Sequence, residues 1–268
     1  MSIKKVLACA LATTAAFATM SFASCGKNKD TLIVYTEAGF APWEFTAPGT
    51  TNIIGVDMEI ANYIANKYNW ELKVVNGHFD TIVAGISEDN ALGIAGISYS
   101  DDRAEDVEFS KFYWGDAYQA VVYKTSDNPV LVDGDFAISN FEGSKLVYQT
   151  GTTSQITVSD NASTWNYSDT ASFTQVMVAL EDMKTSTIEE YLIVDSQVAA
   201  QLTADNAALS YAPIEGLEAE QYGVIAKKGN TDLIAKVNAA LDELLVKDAD
   251  GKNQIEKWFV QYSAVEAE

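Results

Sequence analysis

Short apolar runs alternate with amphipathic stretches along most of the chain. Leu32-Ile33-Val34-Tyr35 reads as a strand. From Gly55, the apolar positions Met58, Ile60, Ala61, Ile64 and Ala65 recur at helical spacing, predicting a helix to about Asn69. Leu72 to Val75 predicts a strand, Phe79 to Ile86 a short helix, and Leu92-Gly93-Ile94-Ala95 a buried strand. Val107 to Ser110 and Tyr118 to Tyr123 predict two more strands. Turn-rich sequence from about Thr125 opens a second unit with the same grammar. Lys145 to Tyr148 predicts a strand, Phe173 to Met183 a helix, Tyr191 to Val194 a strand and Gln221 to Ala226 the last strand. Leu233, Ile234, Val237, Leu241, Leu244 and Leu245 then mark a long amphipathic helix, and Ile255 to Tyr262 a terminal one. Strands alternating with helices predict a parallel α/β sheet.

The N-terminus breaks this pattern. Lys4-Lys5, then an apolar run from Val6 to Ala23, reads as a secretory signal peptide over 1–24 and not as part of the fold. Cys25 follows the small residues Ala23 and Ser24, as the lipidated cysteine of a bacterial lipoprotein does. Ordinary cleavage after Ala23 and an uncleaved membrane anchor are the alternatives. Residues 25–30 form a polar linker. Cys9 falls within the signal, so no disulfide is expected in the mature fold, and no second hydrophobic span is expected.

Charge narrows the partners. The 268 residues carry 38 acidic against 17 basic side chains, a net charge of −21. Such a balance argues against nucleic acid or anionic lipid as partners. With a single histidine, His78, and no Cys/His cluster, the sequence supports neither a metal centre nor a Ser–His triad except through His78.

The candidate chemistry centres on Gly96-Ile97-Ser98-Tyr99-Ser100-Asp101-Asp102-Arg103. Gly96 lets the backbone pass close to a neighbour. Ser100 can cap a short helix that begins at Asp101. Arg103 would sit one turn into that helix, beyond the carboxyl end of a strand, where open α/β sheets bind ligands. Its rigid fork of donors suits a carboxylate or phosphate. A surface pairing with Asp101, Asp102 or Glu105 is the alternative.

In order along the chain stand Ala95-Gly96-Ile97-Ser98-x-Ser100-x-x-Arg103, Val107-Glu108-Phe109-Ser110, Gly151-Thr152-Thr153, Val194-Asp195-Ser196, Gln221-Tyr222-Gly223 and Glu256-Lys257-Trp258-Phe259. Together they resemble a bacterial polar amino-acid-binding protein, an extracellular solute-binding protein of family 3 that feeds an ABC importer. The resemblance implies a two-lobed periplasmic-binding-protein-like fold of type II. Lobe one would be 31–115 plus 223–268 and lobe two 118–220, with hinges near 115–117 and 219–222. It implies a monomer of the cell envelope, lipid-anchored, that traps an amino acid as the lobes close and delivers it to a membrane permease, with no cofactor. Carried onto this chain, Arg103 would grip the α-carboxylate with Thr153 and the backbone beside Ser98, and Thr152 would belong to the same ligand set. Asp195, the Ser98 hydroxyl and the Gly96 carbonyl would take the α-ammonium. Glu37, Phe40, Phe79 and Gln149 would face the side chain, with Trp43 close behind. Asp195 could equally cap the helix that follows it, and Phe40 and Phe79 could be core.

The bottom-up chemistry runs the same way. A zwitterion desolvated between two lobes needs a fixed cation and a fixed anion on opposite sides. This chain has Glu37 where the family more often has Asp, and Gln149 where relatives vary with ligand. The turn Glu88-Asp89-Asn90 is also shorter than typical, and the usual Asp before Leu92 is missing. A carboxylate at the side-chain end repels an acidic ligand, so a basic or neutral polar amino acid is expected, with Phe40 and Phe79 sandwiching its side chain. Two other classes remain to be weighed. A prephenate-type dehydratase on the same fold would have Glu37 as its base. A sensory module would need a further span and a signalling domain, though a soluble partner of a separate receptor would not.

Overall fold

The computed structural model describes residues 30–265. The expected signal segment, Cys9, Cys25 and most of the linker lie outside the described residues. The described chain opens with β1 (Thr31–Thr36), a small hairpin of β2 (Phe45–Thr46) and β3 (Ile53–Ile54), and helix α1 (Val56–Lys67). There follow β4 (Glu71–Asn76), α2 (Phe79–Gly85), β5 (Ala91–Gly93), α3 (Asp101–Asp106) and the long strand β6 (Val107–Ala117). The second half begins with β7 (Gln119–Lys124), a hairpin of β8 (Leu131–Val132) and β9 (Asp135–Phe136), and β10 (Lys145–Gln149). Next come α4 (Thr153–Asp160), α5 (Ala162–Trp165), β11 (Asp169–Phe173), α6 (Val176–Thr185), β12 (Glu190–Asp195), α7 (Ser196–Thr203) and β13 (Leu209–Pro213). Strand β14 (Glu220–Lys227) and helices α8 (Thr231–Leu244) and α9 (Gln254–Ser263) complete the order.

Two five-stranded sheets result, β4-β1-β5-β14-β6 and β11-β10-β12-β7-β13. In the first, β1 runs parallel to β4 and β5, while β14 is antiparallel to β5 and β6. In the second, β10 runs parallel to β11 and β12, while β7 is antiparallel to β12 and β13. The α/β class and the two sheet-and-helix lobes are as expected, but the wholly parallel sheet is not: each sheet carries one reversed strand. Connectivity explains it. Parallel neighbours need a crossover connection, whereas β7 and β14 each come straight across from the other sheet and enter reversed.

Other expectations shift at their edges. The helix expected from Phe173 starts at Val176, because Asp169–Phe173 is a strand in register with β10, Gln149 opposite Phe173. The strand expected to stop at Ser110 runs on to Ala117, and residues 115–117 are therefore strand, with Ala117 paired to Glu220. The buried strand ends at Gly93 and not at Ala95. Strand β13 and helix α4 were not foreseen.

The core follows the apolar pattern closely. Met58, Ile60, Ala61, Ile64 and Ala65 of α1 are buried, as are Leu233, Ile234, Val237, Leu241 and Leu244 of α8. Leu245 is only half-buried against the same cluster. Each fully buried aliphatic side chain contributes about 1.5–3 kcal/mol, before chain entropy is charged against it. Strand β12 is buried over its whole length, so the Asp195 at its end is delivered into the interior.

Candidate functional site

The loops after β1, β5 and β10 and the end of β12 surround one small cavity between the lobes. Phe40, Phe79, Gly96, Ser98, Gln149, Thr152, Thr153 and Asp195 line it, together with Ser154, Ile193 and Val194. The structure thus brings most of the expected residues together from both halves of the chain. Arg103 lies directly beside this space and is 7% exposed. Helix α3 positions it as the sequence predicts: Ser100 caps the helix, its hydroxyl accepting from the Arg103 amide at 3.2 Å. Arg103 Nη1 donates to the Ser98 carbonyl at 2.7 Å and Nη2 to the Gly151 carbonyl of the other lobe at 3.0 Å. Thr153 Oγ1 lies 3.4 Å from Nη1, and the guanidinium sits 5.5 Å from the Phe79 ring centroid. The surface pairing with Asp101, Asp102 or Glu105 is not what this arginine does; no salt bridge joins it to them among the described residues.

Two glycines permit this closeness. Gly96 has φ +52°, and a Cβ there would stand 2.9 Å from the Phe40 ring. Gly151 has φ +78°, and its Cβ would meet the Asp80 Cα across the cleft at 2.8 Å. Both conformations disfavour other residues, and neither position has room for a side chain. The Gly96 amide is fixed from behind by Asp57 Oδ2 at 2.8 Å, which also accepts from the Tyr113 hydroxyl at 3.1 Å.

Asp195 occupies the N-cap position of α7, but its side chain makes no cap hydrogen bond. It accepts instead from the Gln119 amide and the Tyr222 hydroxyl. Glu220 joins the same group, accepting from the Ser98 hydroxyl and, at 2.9 Å, from Gln119 Nε2. Gln119 Oε1 accepts from Ser154 Oγ at 2.7 Å. Burial first, and the nearby Glu220 charge second, push Asp195 up to about 7, against the pull of its hydrogen bonds and of Arg103. Burial likewise raises Glu220. Arg103 is lowered from its ordinary value by burial, opposed by Glu220 and Asp195.

At the other end, Glu37 accepts from Gln149 Nε2 at 2.7 Å, a bond between the lobes, and Gln149 also donates to the Thr174 carbonyl at 3.1 Å. Glu37 is 6% exposed, and burial raises its pKa. It faces a second cavity of about 580 Å³, shared with α6, α7 and residues 263–265. That space is the larger, but the charged groups converge on the smaller one, about 20 Å³, and the chemistry belongs there.

Trp43, expected close behind the side-chain residues, lines neither cavity. It is fully buried behind the cleft, edge-on to Tyr113, Trp114 and Tyr222, with Phe259 5.5 Å away. It is core because the loop after β1 folds back there, Trp43 donating to the Phe40 carbonyl and accepting from Asp57. The sequence reading assigned no side-chain role to Gln119, Ser154, Glu220 or Tyr222. Gln221-Tyr222-Gly223 stood out as a motif, but the reach of Glu220 to Ser98 spans 122 positions and leaves no local trace.

A family model for bacterial extracellular solute-binding proteins, family 3, matches residues 32–261. The chain belongs to that family. This family 3 protein is 25% identical over 254 residues to the arginine-binding extracellular protein ArtP of Bacillus subtilis, covering 91% of this chain and 95% of the relative. It is 26% identical over 259 residues to the L-cystine-binding protein TcyJ of Escherichia coli, with 93% and 92% covered. In structure it resembles an amino acid ABC transporter substrate-binding protein from Streptococcus pneumoniae bound to L-arginine. The TM-score is 0.78 at 24% identity, covering 89% of this chain and 96% of the other. The family and these relatives are named for solute binding and not for catalysis, which sets the dehydratase reading aside.

A buried acid with a raised pKa leaves a signature. Asp195 titrates at about 7 in the fold against 3.8 when unperturbed, so it binds its proton more tightly folded than unfolded. Its stabilising protonation is complete below about pH 4 and is lost as pH rises through about 7. Asp195→Asn cannot ionise. Its stability relative to wild type, followed by thermal melts, should therefore climb between about pH 4 and pH 7 and level off above. A difference that stays flat across that window rules out the raised acid.

Proposed function

We propose that this protein captures an L-amino acid between its two lobes and presents it to the membrane permease of an ABC importer. The observation that carries the reading is the juxtaposition of a buried Arg103, with Thr153 beside it, and a buried Asp195 around one cavity. That pairing fits the two charges of a zwitterion. Arg103 and Thr153 take the α-carboxylate. Asp195, the Ser98 hydroxyl and the Gly96 carbonyl take the α-ammonium. Phe40, Phe79, Gln149 and Glu37 face the side chain, and Thr152 stands beside Thr153. The lobes are 31–115 plus 223–268 and 118–220, and the passages of chain between them act as hinges. The protein works as a monomer, exported and lipid-anchored through Cys25.

Relatives named for arginine and for cystine support an amino acid with a further polar or charged end. Glu37 favours a basic or neutral polar side chain over an acidic one, since a buried carboxylate disfavours a like charge.

Calorimetry against arginine, lysine, histidine and glutamine, with aspartate and glutamate as controls, tests the reading. At least one of the first four should bind. Glu37→Gln should weaken a cationic ligand by about tenfold or more and glutamine far less, because only the former loses a charge pair. Tight binding of glutamate to the wild type would overturn the pocket assignment.

Arg103→Lys should leave the melting curve cooperative while reducing affinity by about a hundredfold or more, since a point charge cannot replace the bidentate fork. Wild-type affinity in this variant would remove the carboxylate from Arg103.

For the anchor, Cys25→Ser should move the protein from the membrane fraction to the soluble one. If a labelled fatty acid fails to mark the wild type, the protein is exported without a lipid.

A further inference from the structure

The amine side of the cleft contains one carboxylate more than a zwitterion requires. Arg103 matches the ligand's carboxylate and Asp195 its ammonium, which leaves Glu220 unassigned. We propose that Glu220 is a positioning residue of the ammonium subsite: by accepting the Ser98 hydroxyl proton and a Gln119 amide proton, it leaves only lone pairs facing the ligand's amine. The inference rests on the reading of the cleft as an amino-acid site.

A donor count supports it. A serine hydroxyl has one proton and two lone pairs. Ser98 Oγ spends its proton on Glu220 Oε2, so what it presents to the cavity is acceptor. Gln119 Nε2 spends both protons on carboxylates, Asp195 Oδ1 and Glu220 Oε1. Flipping that amide would set its oxygen against two acids, and Ser154 Oγ already donates to the oxygen at 2.7 Å. Tyr222 spends its hydroxyl proton on Asp195 Oδ2. The side-chain protons of Ser98, Gln119 and Tyr222 are thus all directed at carboxylates. An ammonium, which has three donors and no acceptor, meets only lone pairs from these groups.

Position explains why this residue can do it. Glu220 opens β14, opposite Ala117 at the end of β6, where the chain passes between the sheets. From there it reaches Ser98, which bridges to Tyr222 of β14, and Gln119, the first residue of β7. A carboxylate is needed at this point. A carboxamide could donate to Ser98 Oγ and turn the hydroxyl proton toward the ligand.

The test compares amines with α-hydroxy acids, which can both donate and accept. Calorimetry would use L-arginine and L-glutamine, each beside its α-hydroxy analogue, on wild type, Glu220→Gln and Glu220→Ala, with circular dichroism to confirm folding. Glu220→Gln should weaken the amino acid by about tenfold or more but its hydroxy analogue by no more than about threefold. In a Ser98→Ala background the same substitution should have a smaller effect, since only the Gln119 contact is then left to lose. A role in packing or closure alone would weaken both ligands by the same factor, and that result overturns the proposal. Should Glu220→Gln not fold, Glu220→Ala decides by the same ratio. If neither amino acid binds the wild type, the capture reading fails and this inference with it; if binding is intact but the ratio does not move, only the inference fails.

Discussion

A guanidinium held inside a protein is the constraint from which the rest of this cleft follows. Removing such a charge from water costs several kcal/mol unless hydrogen bonds and opposite charge replace the lost solvation. Arg103 obtains them from both sides of the cleft: the Ser98 carbonyl on its own side, and the Gly151 carbonyl and Thr153 on the other. The far-side partners come this close with no side chain at residue 151, where a Cβ would meet Asp80 across the cleft. Asp195 and Glu220 supply the opposing field. The loop geometry, the glycines and the acids thus answer a single electrostatic demand.

The acids overshoot that demand. Behind Gly96, burial raises Glu44 well above its usual range and Asp57 to about 6, and Asp57 is a further cause at Glu44. Glu37, Asp195 and Glu220 are raised as well. With one buried arginine among so many carboxyls, another anion entering the cleft has little to pair with beyond Arg103. A cation or a neutral hydrogen-bonding group has several acceptors. The selectivity assigned to Glu37 is therefore a property of the whole neighbourhood, to which that residue contributes at the side-chain end.

Local features of this site were legible in the sequence. The Ser100 cap on Arg103 is an interaction across three positions, and the spacing alone predicts it. Asp195 at the end of a buried apolar strand was legible for the same reason. Trp43 was expected close behind the ligand residues; that it is core, packed on Tyr113, Trp114 and Tyr222, is a tertiary fact with no local trace. Strand β11 was missed because its half-exposed residues lack a strong apolar pattern. Gln119 and Glu220, 101 positions apart, meet only through the crossing of the chain. Composition carries no trace of that meeting. The reversed strands β7 and β14 were hidden likewise, since strand direction is set by where the chain comes from.

That crossing also divides the labour of recognition. Gln119, Glu220 and Tyr222 stand on the strands that pass between the sheets, and with Asp195 and Ser98 they make the proposed amine end. Arg103 with Gly151 and Thr153, and Glu37 with Gln149, reach across the open face of the cleft instead. Groups near the crossing keep their spacing best when two lobes rotate about it, because displacement grows with distance from the axis. Groups on the facing walls meet only when the walls are together. In the proposed site the amine end would therefore be a fixed reference, and the carboxylate and side-chain ends the parts that report closure.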